Sequence, residues 1–253
     1  MILVIPDVHG RDFWREPCKD IEKYSQVIFL GDYLDPYGFD NITLAEALTG
    51  FTDIIALAEA HPDKVTLLLG NHDLHYMTSE AGMSSRHSYW MADHASPIFN
   101  EKRPLFRLAC EVGDTLFTHA GCLQGWLDEV AGRRPELNLT MNAASLNSLL
   151  DVNERLRVLA MVSQSRGGWN RHGSCVWADV GEHLDVASPR PQVFGHTVQA
   201  ARNPITDKVE YRREVVRPEQ RWMMLDCGHA FELDENDPFT YTRLPNPQID
   251  KEQ

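Results

Sequence analysis

The sequence predicts an α/β fold built on a parallel sheet, and three observations carry that reading. Residues 1–6, 26–30 and 65–69 are continuous apolar runs, the pattern of strands covered on both faces. A helical pattern over residues 41–60 separates the second run from the third. This makes a βαβ crossover, and the strands it joins should be parallel. Each run then releases side chains that bind ions or move protons: Asp7-Val8-His9-Gly10, Gly31-Asp32-Tyr33-Leu34-Asp35-Pro36 and Gly70-Asn71-His72-Asp73. In open α/β sheets, ligands bind outside the carboxyl ends of the strands.

The elements follow in order. The 41–60 helix has a broad apolar face (Ile42, Leu44, Ala45, Leu48, Phe51, Ile54, Ile55, Leu57), with Asn41 or Thr43 as its cap. Residues 76–104 are irregular, hold Met77, Arg86, His87, Tyr89, Trp90, His94 and Phe99, and are expected to form an insertion that roofs the site. Residues 105–112 and 115–119 flank Gly113-Asp114, a two-residue hairpin signal, and the second arm ends in His119-Ala120-Gly121. Residues 142–165 carry a helical pattern through Leu146, Leu149, Leu150, Leu156, Val158, Leu159 and Val162, followed by a polar, Gly-rich stretch. Val193-Phe194 lead into Gly195-His196-Thr197, residues 222–225 read as a late strand, and the tail from 246 is expected to be peripheral. With no repeat or linker, the whole of 1–253 is expected to be one domain.

Composition narrows the function. A net charge of -13 speaks against nucleic acid as the main partner, because phosphate backbones need a basic stripe. No apolar run approaches the ~18 residues of a membrane span, so no membrane partner is expected. The first strand begins at Met1 or Ile2 and leaves no room for a signal peptide, so the expected address is cytoplasmic. Five scattered cysteines without a C-x-x-C pair read as reduced structural thiols. Asp73 is equally balanced between hydrogen-bonding a metal-binding side chain from behind and facing water, while His75, His94 and His229 read as ordinary insertion, surface or structural residues.

Collected along the chain, the strand-end groups are Asp7, His9, Asp32, Asn71, His119 and His196. The gaps after His9 are 23, 39, 48 and 77 residues, so only a fold could gather them. Carboxylate, imidazole and one amide oxygen form a set of intermediate softness, suited to Mn, Fe or Zn better than to Ca or Mg. No thiolate belongs to it, which argues against a Cys-type zinc site. Six groups exceed one tetrahedral site, and a bridging carboxylate could divide them between two divalent ions.

These motifs, Asp7-Val8-His9-Gly10, Gly31-Asp32-Tyr33-Leu34-Asp35, Gly70-Asn71-His72-Asp73, Thr118-His119-Ala120-Gly121 and Gly195-His196-Thr197, resemble the calcineurin-like metallophosphoesterase family. The spacing of Asp32 and Asp35 resembles its branch of Ser/Thr protein phosphatases and bacterial diadenosine tetraphosphatases. Residues 165–179 and Leu225-Asp226-Cys227-Gly228 are similar to further segments of that branch, the latter to a late core strand. The resemblance implies a layered αββα sandwich of mixed sheets with flanking helices. It implies two divalent cations, Mn first and Fe or Zn otherwise: Asp7 and His9 on one, Asp32 bridging, and Asn71, His119 and His196 on the other. A hydroxide shared by both ions would attack phosphorus, His72 would protonate the leaving oxygen, and Asp35 would orient His72.

Two departures bear on the substrate. Where that branch carries arginine after the second Asp and before the Gly-Asn-His motif, this chain has Pro36 and Leu68-Leu69. Arg166 and Arg171 are the expected phosphate clamps, because guanidinium offers paired donors; Arg11 and Arg86 are secondary choices. The substrate expected is a phosphomonoester, with phosphoprotein as one form. The alternative is a nucleotide or dinucleoside polyphosphate stacked on Tyr89, Trp90 and Phe99, and a metal-bearing scaffold without turnover is a third reading.

Overall fold

The computed structural model describes residues 1–203 and 208–250. Among the described residues seven strands come first: β1 (Ile2–Ile5), β2 (Gln26–Phe29), β3 (Val65–Leu68), β4 (Phe106–Arg107), β5 (Ala109–Val112), β6 (Thr115–Thr118) and β7 (Gln192–Phe194). Six follow: β8 (Ala200–Arg202), β9 (Val209–Tyr211), β10 (Val215–Arg217), β11 (Trp222–Met224), β12 (Phe231–Leu233) and β13 (Tyr241–Arg243). One sheet runs β13-β12-β1-β2-β3-β4, the other β10-β11-β7-β6-β5, and β8-β9 is a separate ribbon. The β1-β2-β3-β4 pairings are all parallel, as the crossover pattern requires, and antiparallel strands at the edges make both large sheets mixed.

The apolar runs are continuous because both of their faces are covered. Ile2, Val4, Ile28, Leu30 and Leu68 face the second sheet and meet Phe117, Val193, Met223 and Leu225. Leu3, Ile5, Val27, Phe29 and Leu67 point the other way, into a layer with Phe51, Ile54 and Ile55. That layer is the helix Leu44–Ala60, and a second helix, Tyr89–Glu101, joins it by packing Phe99 against Phe51 and Phe106, with ring centroids 4.6 and 5.2 Å apart. The result is an αββα sandwich. Thr43 caps the first helix: its hydroxyl accepts from Glu46 N–H at 3.2 Å and Glu46 accepts from Thr43 N–H at 2.8 Å, a reciprocal pair worth about 1 kcal/mol. Asn41 instead sits in a left-handed turn at φ +54°.

Four expectations need adjustment. The 105–112 arm is not one strand, because β4 completes the first sheet and β5 opens the second. Asn147 stabilises the switch by accepting both the Leu108 and Ala109 amides and donating to Ala109 O. Residues 142–165 form no long helix: Ala143–Asn147 is α-helical, then Ser148–Asp151 and Asn153–Ala160 are 3₁₀, broken at an extended Val152. The buried pairs Leu146/Leu149 and Leu156/Leu159 are spaced by three, the 3₁₀ repeat. The late strand stops at Met224, so 225–228 is a turn beyond it. The tail is docked rather than peripheral as far as it is described: Asn246 is buried and donates to Gly228 O, and Asp250 reaches His229 at 3.1 Å; residues 251–253 lie outside the described residues.

All five cysteines are free thiols. Among the described residues, no helix is long and apolar enough to cross a membrane.

His183 ends a short helix, Val180–His183, and is buried against Phe194 and Trp222 with Nε2 at 3.2 Å from Ala120 O. Gly121 makes room for it: at φ +82°, a Cβ there would meet the ring at 2.5 Å. Burial pushes the His183 pKa down from 6.5 to about 4. The unfolded chain therefore takes up a proton below pH 6.5 that the folded one refuses, and stability falls as pH drops from 6.5 towards 4. Urea denaturation at pH 7 and pH 4 should show a loss in the native protein that shrinks by about 3 kcal/mol in His183→Phe; an equal loss in both would contradict this.

Candidate metal centre

The carboxyl ends of both sheets meet at one place. From the first sheet, β1 delivers Asp7 and His9, β2 delivers Asp32 and Asp35, and β3 delivers Asn71 and His72. From the second, β6 delivers His119, β7 delivers His196 and β11 delivers Asp226. All are buried. Asp32 stands between two groups of donors. Its Oδ2 is 3.5 Å from His9 Nε2 and 3.5 Å from His119 Nε2, and its Oδ1 accepts His72 N–H at 2.9 Å. His119 Nε2 also lies 3.1 Å from His196 Nδ1, 3.2 Å from Asn71 Oδ1 and 3.9 Å from Asp7 Oδ1. Two triads, Asp7-His9-Asp32 and Asp32-His119-His196, each have ligand atoms within 4.8 Å of one another and share Asp32.

Hydrogen bonds from outside aim these ligands inward. His9 Nδ1–H reaches Leu34 O and His119 Nδ1–H reaches Leu30 O, both at 2.8 Å, so each neutral ring turns an Nε2 lone pair to the centre. Asn71 Nδ2 donates to Ser84 Oγ at 2.9 Å, which turns its carbonyl oxygen inward. The centre is thereby lined by acceptors facing acceptors. Among the described residues, His196 Nε2 and both oxygens of Asp226 have no hydrogen-bond partner. Such a lining repels itself unless cations occupy it, and it matches a divalent metal pair in donor type.

Protonation states agree. Burial pushes the His9 and His196 pKa values well down, which favours neutral rings with a free lone pair. Burial would raise Asp32, but the imidazoles of His119, His72, His9 and His196 outweigh it and hold its carboxyl below the usual range. Burial raises Asp7. The backbone is strained at the same place: of the eight described non-glycine residues with positive φ, five (His9, Asp32, Asp35, Arg86 and His196) belong to this site. Left-handed conformations persist where surrounding structure dictates them, and here they point side chains to one centre.

Beside these donors sits a histidine–carboxylate pair. His72 Nδ1 is 2.7 Å from Asp35 Oδ2, and burial of that carboxylate is offset by its hydrogen bonds to His72 and Tyr76 and the close approach of His75, which bring its pKa below normal. Arg86 Nη2 lies 3.4 Å from both His72 Nε2 and His9 Nε2, braced by Nε–H to Asp35 O at 3.0 Å and by the Tyr37 ring 3.9 Å below.

The family model for calcineurin-like phosphoesterases matches residues 1–200. The chain belongs to the calcineurin-like phosphoesterase family. A protein of Schizosaccharomyces pombe named as a serine/threonine-protein phosphatase is 30% identical over 137 residues, 50% of this chain and 39% of that one, so the chain spans about two fifths of the length of this curated relative. A cold-active protein tyrosine phosphatase superposes with a TM-score of 0.56 at 15% identity, covering 98% of this chain and 79% of the other. A protein serine/threonine phosphatase of Saccharomyces cerevisiae superposes with 0.52 at 13%, covering 97% and 81%. These two likenesses concern the phosphoesterase fold.

Within this phosphoesterase, the six residues expected as ligands and the His72–Asp35 pair all converge. The arginines divide. Arg166 comes close, donating from Nη2 to Thr197 Oγ1 at 2.7 Å and His196 O at 3.4 Å, with Nε 2.9 Å from Asp179. Arg171 is exposed and has no contact with the cluster among the described residues. Arg11 is spent on Asp7 O, Val8 O and Tyr211 OH. Arg86, a secondary choice from sequence, reaches furthest in. Of the 76–104 stretch, Tyr76, Ser84 and Arg86 touch the site, while Tyr89–Glu101 belongs to the helical layer.

Two residues were missed and a third was left open. Asp226 follows β11 just as Asp32 follows β2, and the strand-end rule would have found it. His75 stands one helical step beyond His72. Asp73, equally balanced on sequence between solvent and ligand support, is fully buried and accepts three amides: Asp32 N–H at 2.7 Å, Gly70 N–H at 2.8 Å and Tyr33 N–H at 3.0 Å. It fixes the turn that presents Asp32. Gly70 completes that turn, since a Cβ there would lie 2.1 Å from Asp32 Oδ1. Asp73→Ala would orphan three buried amides, so urea denaturation should show a loss of at least about 3 kcal/mol together with reduced metal content by elemental analysis; a loss below about 1 kcal/mol with full metal would reject this role.

Proposed function

We propose that this calcineurin-like phosphoesterase hydrolyses phosphomonoesters using two divalent cations, with Asp7 and His9 on one, Asn71, His119 and His196 on the other, and Asp32 shared. The observation that carries this is a convergence of acceptors: Nε2 of His119, whose Nδ1–H is taken by Leu30 O, lies 3.2 Å from Oδ1 of Asn71 and 3.5 Å from Oδ2 of Asp32. When bound, the ions supply positive charge to the phosphoryl oxygens and lower the pKa of a water. The mixed N/O set favours Mn, with Fe or Zn as substitutes.

The protein's own groups do the rest. His72 keeps Nδ1–H on Asp35, so a second proton on Nε2 makes an imidazolium that Asp35 stabilises and that can protonate the leaving oxygen. Arg86 lies between that nitrogen and His9, where its guanidinium can hold a phosphoryl oxygen and orient the ester. Arg166 supports the far side next to His196. The phosphatases named among the relatives support a phosphorylated protein as substrate, and a cytoplasmic address belongs to the same proposal. The nucleotide alternative loses part of its stacking platform, since Phe99 is fully buried while Tyr89 and Trp90 remain at the surface.

With Mn²⁺, the protein should turn over 4-nitrophenyl phosphate and a phosphopeptide faster than a dinucleoside tetraphosphate; the reverse order would favour the nucleotide reading, and no turnover of any of them the scaffold. In that assay His72→Asn should lose about 10²- to 10⁴-fold in kcat with metal retained, and an unchanged kcat would remove His72 as the acid. Arg86→Ala should raise KM by about 10-fold or more, while Arg171→Ala should stay within about twofold. A larger effect at Arg171 would reverse this assignment.

A further inference from the structure

The helix Asn71–Met77 places a second imidazole on the carboxylate that serves His72. His75 follows His72 by three residues, so both rings leave the same helix face. Both aim a nitrogen at Asp35 Oδ2, His72 Nδ1 at 2.7 Å and His75 Nε2 at 2.9 Å. The other oxygen, Oδ1, accepts from Tyr76 OH, whose own oxygen accepts Ser88 N–H at 3.1 Å. Asp35 is therefore gripped from three sides.

Ser84 decides the state of His75. Its backbone N–H lies 3.1 Å from His75 Nδ1, and a backbone amide can only donate. The neutral ring must then carry its hydrogen on Nε2, the nitrogen facing Asp35. Burial lowers the His75 pKa against the opposing pull of Asp35, which agrees with a neutral ring. The 2.9 Å contact is not aligned as a full hydrogen bond, so it acts through the N–H dipole. Ser84 also ties this assembly to the ligands: its Oγ donates to Asn71 O and accepts from Asn71 Nδ2, both at 2.9 Å. Asp35, His72 and His75 are close enough together to hold a cation, but that would require a bare Nε2 on His75, the opposite tautomer.

We propose that His75 is a positioning residue: with its tautomer set by Ser84, it holds the Asp35 carboxylate in the one rotamer that turns the His72 ring toward the leaving oxygen. The rate consequence rests on the phosphoesterase reading above; the tautomer does not.

Two measurements test it. Two-bond ¹⁵N–¹H correlation of the histidine rings at pH 7 should show His75 neutral with hydrogen on Nε2, and an Nδ1–H tautomer or a charged ring overturns the proposal whatever the activity. For the rate, His75→Asn keeps an acceptor for Ser84 N–H but cannot reach Asp35, whereas the amide nitrogen of His75→Gln can. With an alkyl phosphate, whose poor leaving group needs the proton, His75→Asn should lose about 10- to 100-fold in kcat at unchanged KM and metal content. With 4-nitrophenyl phosphate the loss should stay under about threefold, and His75→Gln should recover most of the alkyl rate. Equal losses on both substrates, no loss on either, or one metal equivalent missing would each overturn it. Were the parent protein to hydrolyse neither ester, the phosphoesterase reading would fall, and the tautomer would still decide how His75 is placed.

Discussion

The structure depends on one electrostatic constraint: buried acceptors with nothing to accept from. Asp7, Asp32, Asp73 and Asp226 are all fully or nearly fully buried around a single point. Asp73 satisfies itself on three amides and Asp7 takes the His196 N–H at 2.9 Å from both oxygens. Asp226 has only Arg11, at 4.0 Å, and burial pushes its carboxyl well above the normal range. Desolvating this much carboxylate is costly unless positive charge is present. The protein does not relieve the tension with its own cations: Arg11 is directed to backbone carbonyls and Arg86 to the proton-handling side. Divalent ions are what this arrangement is short of.

Holding such a centre together requires the two sheets to be locked in register with each other. Asp7 belongs to the first sheet and His196 to the second, and the bond between the His196 amide and the Asp7 carboxylate joins them at the site. His119 does the same from β6 by donating to Leu30 O at the end of β2. The left-handed backbones at His9, Asp32 and His196 are tolerated because each lies at a strand end whose strand is fixed on both sides by packing. Rigid strands are the source of precision here, and the strain is confined to the one residue that must turn.

This division explains what the sequence made legible. A strand buried on both faces writes an unbroken apolar run, and a ligand at its end is read by adjacency, so Asp7, His9, Asp32, Asn71, His119 and His196 could be gathered without coordinates. The layered fold followed from resemblance and from the parallel crossover. What was illegible depends on distances that no local pattern encodes. Leu108 looks like the middle of a strand, and only the Asn147 side chain, 39 residues away, shows that the chain changes sheets there. The leucines of 142–165 suit an α-helix and a chain of 3₁₀ turns almost equally, because both bury residues spaced by three. Arg171 and Arg86 are both arginines in irregular segments, and whether either reaches the site depends on the path of the loop.

The same contrast bears on how the site divides its work. The clustered donors leave from strand ends, where a shift of one residue would turn the side chain to the opposite face and break up the cluster. The groups expected to meet the ester, Arg86 and Arg166, leave from irregular segments around 82–88 and 164–168, and Arg86 is aimed by three contacts of modest strength: a carbonyl, an aromatic face and its own left-handed backbone. Such segments can change length or composition without disturbing the sheets. Pro36 and Leu69 occupy positions where the family's phosphatase branch carries arginine, and Arg86 supplies guanidinium from a different segment to the space between His9 and His72. The strand-end cluster is thus fixed by the sheets, whereas the chain position that carries a guanidinium beside it is free to move.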